Sequence, residues 1–155
     1  MGLKAGERAP EVTLPSHENQ QVPLSSLWKD GPAVLLFFPL AFTSTCTEEL
    51  CSVRDDIGSY TGLNAKVAAI SVDSPYVLKR FREELGADYL FLSDWNREAS
   101  RGFGVLRPEP VGPGLLNASD RAVFVVGPDG TIRWAWHETN PSLLPPFEEI
   151  KAALA

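Results

Sequence analysis

The run Ala33-Val34-Leu35-Leu36-Phe37-Phe38 constrains the fold more than any other stretch of this chain. It is short, unbroken by polar residues and bounded by Gly31-Pro32 and Pro39, so it reads as a buried strand. After it comes Cys46-Thr47-Glu48-Glu49-Leu50-Cys51-Ser52-Val53-Arg54-Asp55-Asp56-Ile57, in which Cys46, Leu50, Val53 and Ile57 fall on one helical face. A cysteine therefore stands where a buried strand turns into a helix. At such a point the backbone N–H groups of the first turn are unpaired and the helix dipole presents its positive end. Both effects favour thiolate over thiol, the form in which cysteine is a nucleophile near neutral pH. Glu48 and Glu49 suit a first helical turn but oppose that negative charge. A cation must compensate them.

The rest of the chain repeats the alternation of strand and helix. Glu11 to Leu14 and Gln21 to Leu24 are two short runs separated by polar turn residues, as in a small hairpin, and Ser25 to Trp28 reads as a helical turn. Gly58 to Lys66 reads as a loop or a frayed helix end, and Val67 to Val72 as a second buried strand. Ser74-Pro75 supplies an N-cap and a first-turn proline for a helix that Gly86 ends, with Val77, Leu78, Phe81 and Leu85 as its apolar stripe. Tyr89 to Leu92 is a strand candidate and Arg97 to Phe103 a short helix. Pro108 to Asp120, rich in Pro and Gly, reads as a surface loop of a length that is often functional. Ala122 to Val126 and Thr131 to Trp136 flank the turn signal Pro128-Asp129-Gly130, and Phe147 to Leu154 is an amphipathic helix. Trp134 and Trp136 alternate with Arg133, Ala135 and His137, as on a half-buried strand face. This order predicts a three-layer α/β domain spanning residues 1–155.

Composition narrows the function classes. With 44% hydrophobic residues the chain can bury a sizeable core, so two cysteines are better read as chemical than as structural staples. A net charge of −6 argues against a nucleic-acid partner or an anionic membrane surface. The start Met1-Gly2-Leu3-Lys4-Ala5-Gly6 has no apolar signal region, and no apolar run approaches the ~20 residues of a membrane helix. A soluble, cytoplasmic protein is expected. His17 and His137 lie far apart with no carboxylate cluster, match no zinc pattern and are expected at the surface; neither metal nor other cofactor is expected.

The spacing Pro39-x-x-x-Thr43-x-x-Cys46 resembles the active-site motif of the peroxiredoxins. Glu49 stands where that family has a glutamate, and Arg121-Ala122-Val123-Phe124-Val125-Val126 is similar to its arginine-bearing strand. The likeness runs from about Gly6 through Trp134. It implies a thioredoxin-like fold with a central mixed sheet and an N-terminal hairpin extension. It also implies a thiol peroxidase that reduces hydrogen peroxide and organic hydroperoxides. Cys46 would attack the peroxide and become a sulfenic acid. The Thr43 hydroxyl and the Cys46 N–H would hold the peroxide oxygens, Pro39 would end the strand and shield the thiolate, and Arg121 would be the missing cation. Arginine suits that work because it stays charged and its fork reaches both sulfur and substrate oxygen. Arg97, Arg101 and Arg107 lie nearby in sequence and are each candidate partners for Glu49.

Two branches of the family are resembled at once. Phe37 to Thr43 looks like the one-Cys alkyl hydroperoxide reductase E branch, whose members take an external thiol reductant. Cys46-x-x-x-x-Cys51 resembles the bacterioferritin comigratory protein branch, whose resolving cysteine can sit there. That implies a disulfide recycled by thioredoxin or a similar thiol donor. Cys51 lies about 140° around the helix from Cys46, between Arg54 and Asp55 and off the apolar stripe, so a core-packing reason for it is weak. The family also pairs commonly through a surface near the active site, and the aromatics here would allow a homodimer. Two other classes compete. A disulfide oxidoreductase would suit the fold, but the chain has no Cys-x-x-Cys. A non-catalytic interaction module would not account for Thr43, Cys46 and Arg121 standing together.

Overall fold

A computed structural model describes residues 2–155. β1 (Thr13–Pro15) and β2 (Gln21–Pro23) form the N-terminal hairpin, and a 3-10 turn over Leu24–Leu27 leads to β3 (Ala33–Phe37). Then follow α1 (Ser44–Asp55), α2 (Ile57–Thr61), β4 (Lys66–Ser71), α3 (Pro75–Leu85), β5 (Leu90–Ser93) and α4 (Glu98–Gly102). β6 (Arg121–Val126), β7 (Ile132–Glu138) and α5 (Phe147–Leu154) complete the described elements. The main sheet has the order β5-β4-β3-β6-β7; β3, β4 and β5 run parallel, and β6 is antiparallel to both of its neighbours, β3 and β7.

β3 is central and fully buried, which is why it reads as an unbroken apolar run rather than an alternating one. The side chains of β3, and of Phe38 directly after it, divide between two cores. Val34, Leu36 and Phe38 pack with Leu50 and Val53 of α1, Leu78, Phe81 and Leu85 of α3, and Ile150 and Leu154 of α5. Ala33, Leu35 and Phe37 pack on the other face with Leu24, Leu27 and Trp28 of the N-terminal region and with Ala99 and Phe103 at α4. The architecture is α/β and thioredoxin-like, with the hairpin extension lying on the α4 side. No helix of the described residues is long and apolar enough to cross a membrane.

Local signals set the helix ends. The Ser74 side chain accepts from the Val77 N–H, Pro75 opens α3, and Gly86 ends it with a left-handed φ of 65°. Four expectations need correction. Residues 57–61 form a short helix where a loop or frayed end was expected, because Tyr60 is drawn into the core beneath α5. Val77 is exposed and does not belong to the buried stripe of α3. His17 is buried, its backbone N–H donating to the Phe91 carbonyl, and burial lowers its pKa. His137 is half-buried, its Nε2 lying 2.7 Å from Asp120 Oδ2.

Candidate active site

α1 begins at Ser44, with Thr43 as its N-cap residue, so Cys46 is in the first turn, where backbone N–H groups have no partner within the helix. Glu48 and Glu49 consequently fall in the second turn, not the first as the sequence suggested. Cys46 and Glu49, three residues apart, share a helical face that turns inward, and both are buried while Glu48 is exposed.

The cation reaches this face from β6. Along β6, Ala122, Phe124 and Val126 point into the core on the α4 side, while Val123 and Val125 point toward α1. Arg121 shares the parity of Val123 and so enters on the α1 side. It is one of the largest fully buried side chains of the protein. Its Nη1 donates to Glu49 Oε1 at 2.6 Å, and its Nη2 donates to Cys46 Sγ at 3.3 Å and to the Pro141 carbonyl at 2.8 Å. The Glu49 partner is therefore Arg121, not Arg97, Arg101 or Arg107. Arg97 Nε donates to the Asn117 carbonyl, Arg101 Nη1 to the Asn96 carbonyl, and Arg107 Nη1 to Asp120 and the Thr139 carbonyl. The reason is the sheet: Arg97 and Arg101 flank or belong to α4, across it from α1.

Pro39, Thr43, Ser44, Thr45, Cys46 and Arg121 line one cavity of about 170 Å3. Val111 from the Pro/Gly-rich loop and Pro141 and Ser142 from the segment after β7 complete its wall. The sequence marks Val111 only as part of a loop of functional length, and nothing local in it marks Pro141 and Ser142. Pro39 is buried, whereas Thr43 is exposed with its Oγ1 donating to the Leu40 carbonyl at 2.8 Å. A larger groove of about 570 Å3 between residues 2–5 and β7 has no cysteine in its lining.

Cys51 lies on α1 with Cys46, and both thiols are free. It is half-buried and packs against the same core cluster as Leu50 and Val53, so it has a packing role that the sequence did not suggest.

A buried cysteine at a helix start, touched by a buried arginine and opening onto a small cavity, meets positive charge from two sides. The AhpC/TSA family model matches residues 5–135 of this chain. The chain belongs to that family and is a peroxiredoxin. It is 31% identical over 141 residues to peroxiredoxin Bcp of Escherichia coli (strain K12), covering 90% of this chain and 89% of that protein. Among solved structures, peroxidoxin BcpB from Mycobacterium tuberculosis matches with a TM-score of 0.85 at 29% identity, over 98% of this chain and 96% of that one. A peroxiredoxin-like protein from Aquifex aeolicus matches with a TM-score of 0.88 over 99% of this chain and 87% of that one, a likeness at 24% identity that concerns the fold alone.

The charge balance of this peroxiredoxin's buried trio has a consequence for pH. Burial pushes the Glu49 carboxyl up to about 7, against the pull of Arg121. Burial also opposes the Arg121 charge, but Glu49 and the Cys46 sulfur outweigh it and hold the guanidinium above its ordinary value. Arginine keeps its charge in any protein environment, so within the Glu49–Arg121 pair the group that titrates is Glu49. With Glu49 ionised, a thiolate at Cys46 leaves the trio one negative charge in excess; with Glu49 protonated, the trio is neutral.

Because the folded-state value lies above the ordinary 4.5, the native state holds a proton between these two values that the unfolded chain has released. The stability this group contributes is present below about pH 4.5 and is lost as pH rises through about 7. Urea midpoints of the wild type are therefore expected to fall relative to those of Glu49→Gln between about pH 5 and about pH 8. Parallel curves for the two proteins would show that Glu49 does not titrate there.

Proposed function

We propose that Cys46 is the peroxidatic nucleophile of this thiol peroxidase, with Thr43, Arg121 and Pro39 forming its substrate pocket and Glu49 orienting Arg121. The observation that carries the reading is the 3.3 Å contact between Arg121 Nη2 and Cys46 Sγ inside a cavity shared with Thr43. A thiolate alone is a general nucleophile; speed with peroxides requires donors aimed at the charge developing on the leaving oxygen. In the reaction the Cys46 thiolate attacks one peroxide oxygen, the O–O bond breaks, and the other oxygen leaves as alkoxide or hydroxide and takes a proton. Cys46 becomes a sulfenic acid, and water or an alcohol is released. Arg121 and the N–H groups of the first turn of α1 face the charge that moves between sulfur and oxygen. Intact mass and free-thiol counts after one equivalent of hydrogen peroxide test the assignment: oxidation is expected at Cys46 first, and an inert Cys46 would refute it.

Cys51 is proposed as the resolving thiol, condensing with the sulfenic acid to a disulfide and releasing water. Thioredoxin or a similar dithiol would then reduce that disulfide. Both cysteines lie on the continuous helix Ser44–Asp55, where residues five apart have Cα atoms roughly 8.7 Å from each other. A disulfide needs Cα atoms closer than about 7 Å. The first turns of α1 must open before the bond forms, so reduced and disulfide forms are expected to differ locally, with low protection of this segment in hydrogen exchange. Cys51→Ser should leave the first oxidation of Cys46 near its normal speed, prevent the intramolecular disulfide and allow easier overoxidation to sulfinic acid. A stable sulfenic acid beside a free Cys51 in wild-type protein would sink the resolving role and place recycling with an external thiol.

A further inference from the structure

The loop between β3 and α1, which carries Thr43, is gripped from outside by one carboxylate. The Ala41 N–H donates to Asp73 Oδ2 at 2.8 Å across the end of the sheet. Asp73 is itself anchored. Ser71 Oγ donates to the same Oδ2 at 2.7 Å, the Asp73 N–H donates to Ser71 Oγ, and Ser93 Oγ donates to the Asp73 carbonyl at 2.6 Å. Ser71 and Ser93 are buried and pair in register at the ends of β4 and β5, so Asp73 is tied to the sheet. The usual work of an acidic residue just before a helix is N-capping, but Ser74 caps α3. That leaves the Asp73 carboxylate for the loop.

The loop requires such a hold. Phe42 has a φ of 67°, a region that a bulky side chain enters at a cost and keeps only when its surroundings hold it there. Its ring lies 4.9 Å from that of Phe81, centroid to centroid. Ala41 is thus pinned by a charged hydrogen bond and Phe42 by an aromatic contact. Thr43, the next residue, is carried on that pair into the wall of the Cys46 cavity.

We propose that Asp73 is a positioning residue for peroxide reduction: by clamping the Ala41 amide it fixes the backbone that presents the Thr43 hydroxyl beside Cys46. This rests on the reading of Thr43 as a peroxide-binding residue. A hydrogen bond to a carboxylate is stronger than one to a neutral acceptor, which is a reason for Asp rather than Asn at this point.

The test separates peroxide chemistry from general thiol reactivity. Asp73→Ala is expected to slow the second-order reaction with hydrogen peroxide by roughly 10- to 100-fold, the cost of misplacing a substrate-holding group. Alkylation of Cys46 by iodoacetamide, which does not need Thr43, should stay near the wild-type rate. Asp73→Asn keeps a neutral acceptor and should fall between wild type and Asp73→Ala in the peroxide reaction alone. In a Thr43→Val background Asp73→Ala should add little, because both act through one group. A wild-type peroxide rate in Asp73→Ala, a parallel fall in alkylation, or full additivity with Thr43→Val would each overturn the proposal. Should Asp73→Ala not fold, Asp73→Asn decides by the same comparison of the two reactions. If Thr43→Val itself reacts at the wild-type rate, the reading of Thr43 fails, and with it this role for Asp73; a slow Thr43→Val beside a normal Asp73→Ala overturns the clamp alone.

Discussion

Cys46→Ser is expected to abolish peroxide consumption while leaving the protein folded. The hydroxyl stays protonated at neutral pH, so the variant lacks a nucleophile although its first turn and its arginine remain. Removing a covalent nucleophile typically costs roughly 10⁴–10⁶ in rate. The fold should tolerate the change because the substituted atom is small and retains a partner: Arg121 Nη2 can donate to a serine oxygen where it now meets Sγ. The measurement is peroxide consumption in the presence of a dithiol donor, with a thermal melt alongside. Substantial residual peroxidase activity in a folded Cys46→Ser protein would remove Cys46 from the role.

Arg121→Lys is expected to slow the same reaction by ~10²–10³, the scale of losing one preorganised donor. The guanidinium serves Glu49, Cys46 and the Pro141 carbonyl from two nitrogens held in one plane. A lysine keeps the charge, but its single ammonium cannot span the carboxylate, the sulfur and the carbonyl in that arrangement. The loss should therefore appear in the second-order rate with peroxide and be only partly recovered by raising the pH to ionise Cys46. An unchanged rate would refute the assignment. A rate that recovers fully at high pH would limit Arg121 to setting the charge of the sulfur, with no part in holding the transition state.

What the sequence determined by itself was whatever depends on neighbours along the chain. The six-residue apolar run that contains β3, the cysteine at the start of α1, the Ser74-Pro75 cap and the Gly86 stop of α3 each involve residues a few positions apart, where hydrophobic period and backbone preference act directly. The spacing of Pro39, Thr43 and Cys46 belongs to the same class, since the strand-to-helix turn alone brings them to one cavity. The partner of Glu49 was not legible, because Arg121 is 72 residues away and no local pattern separates it from the other candidates Arg97, Arg101 and Arg107, which the fold engages in other hydrogen bonds. Only the antiparallel pairing of β3 with β6, and the parity of β6 that points Arg121 toward α1, could select it. Burial of Glu49 and His17, the packing of half-buried Cys51 and the reach of Asp73 to the Ala41 amide are of the same kind. Each arises where elements distant in the chain meet, and no local period encodes which side chains those meetings enclose.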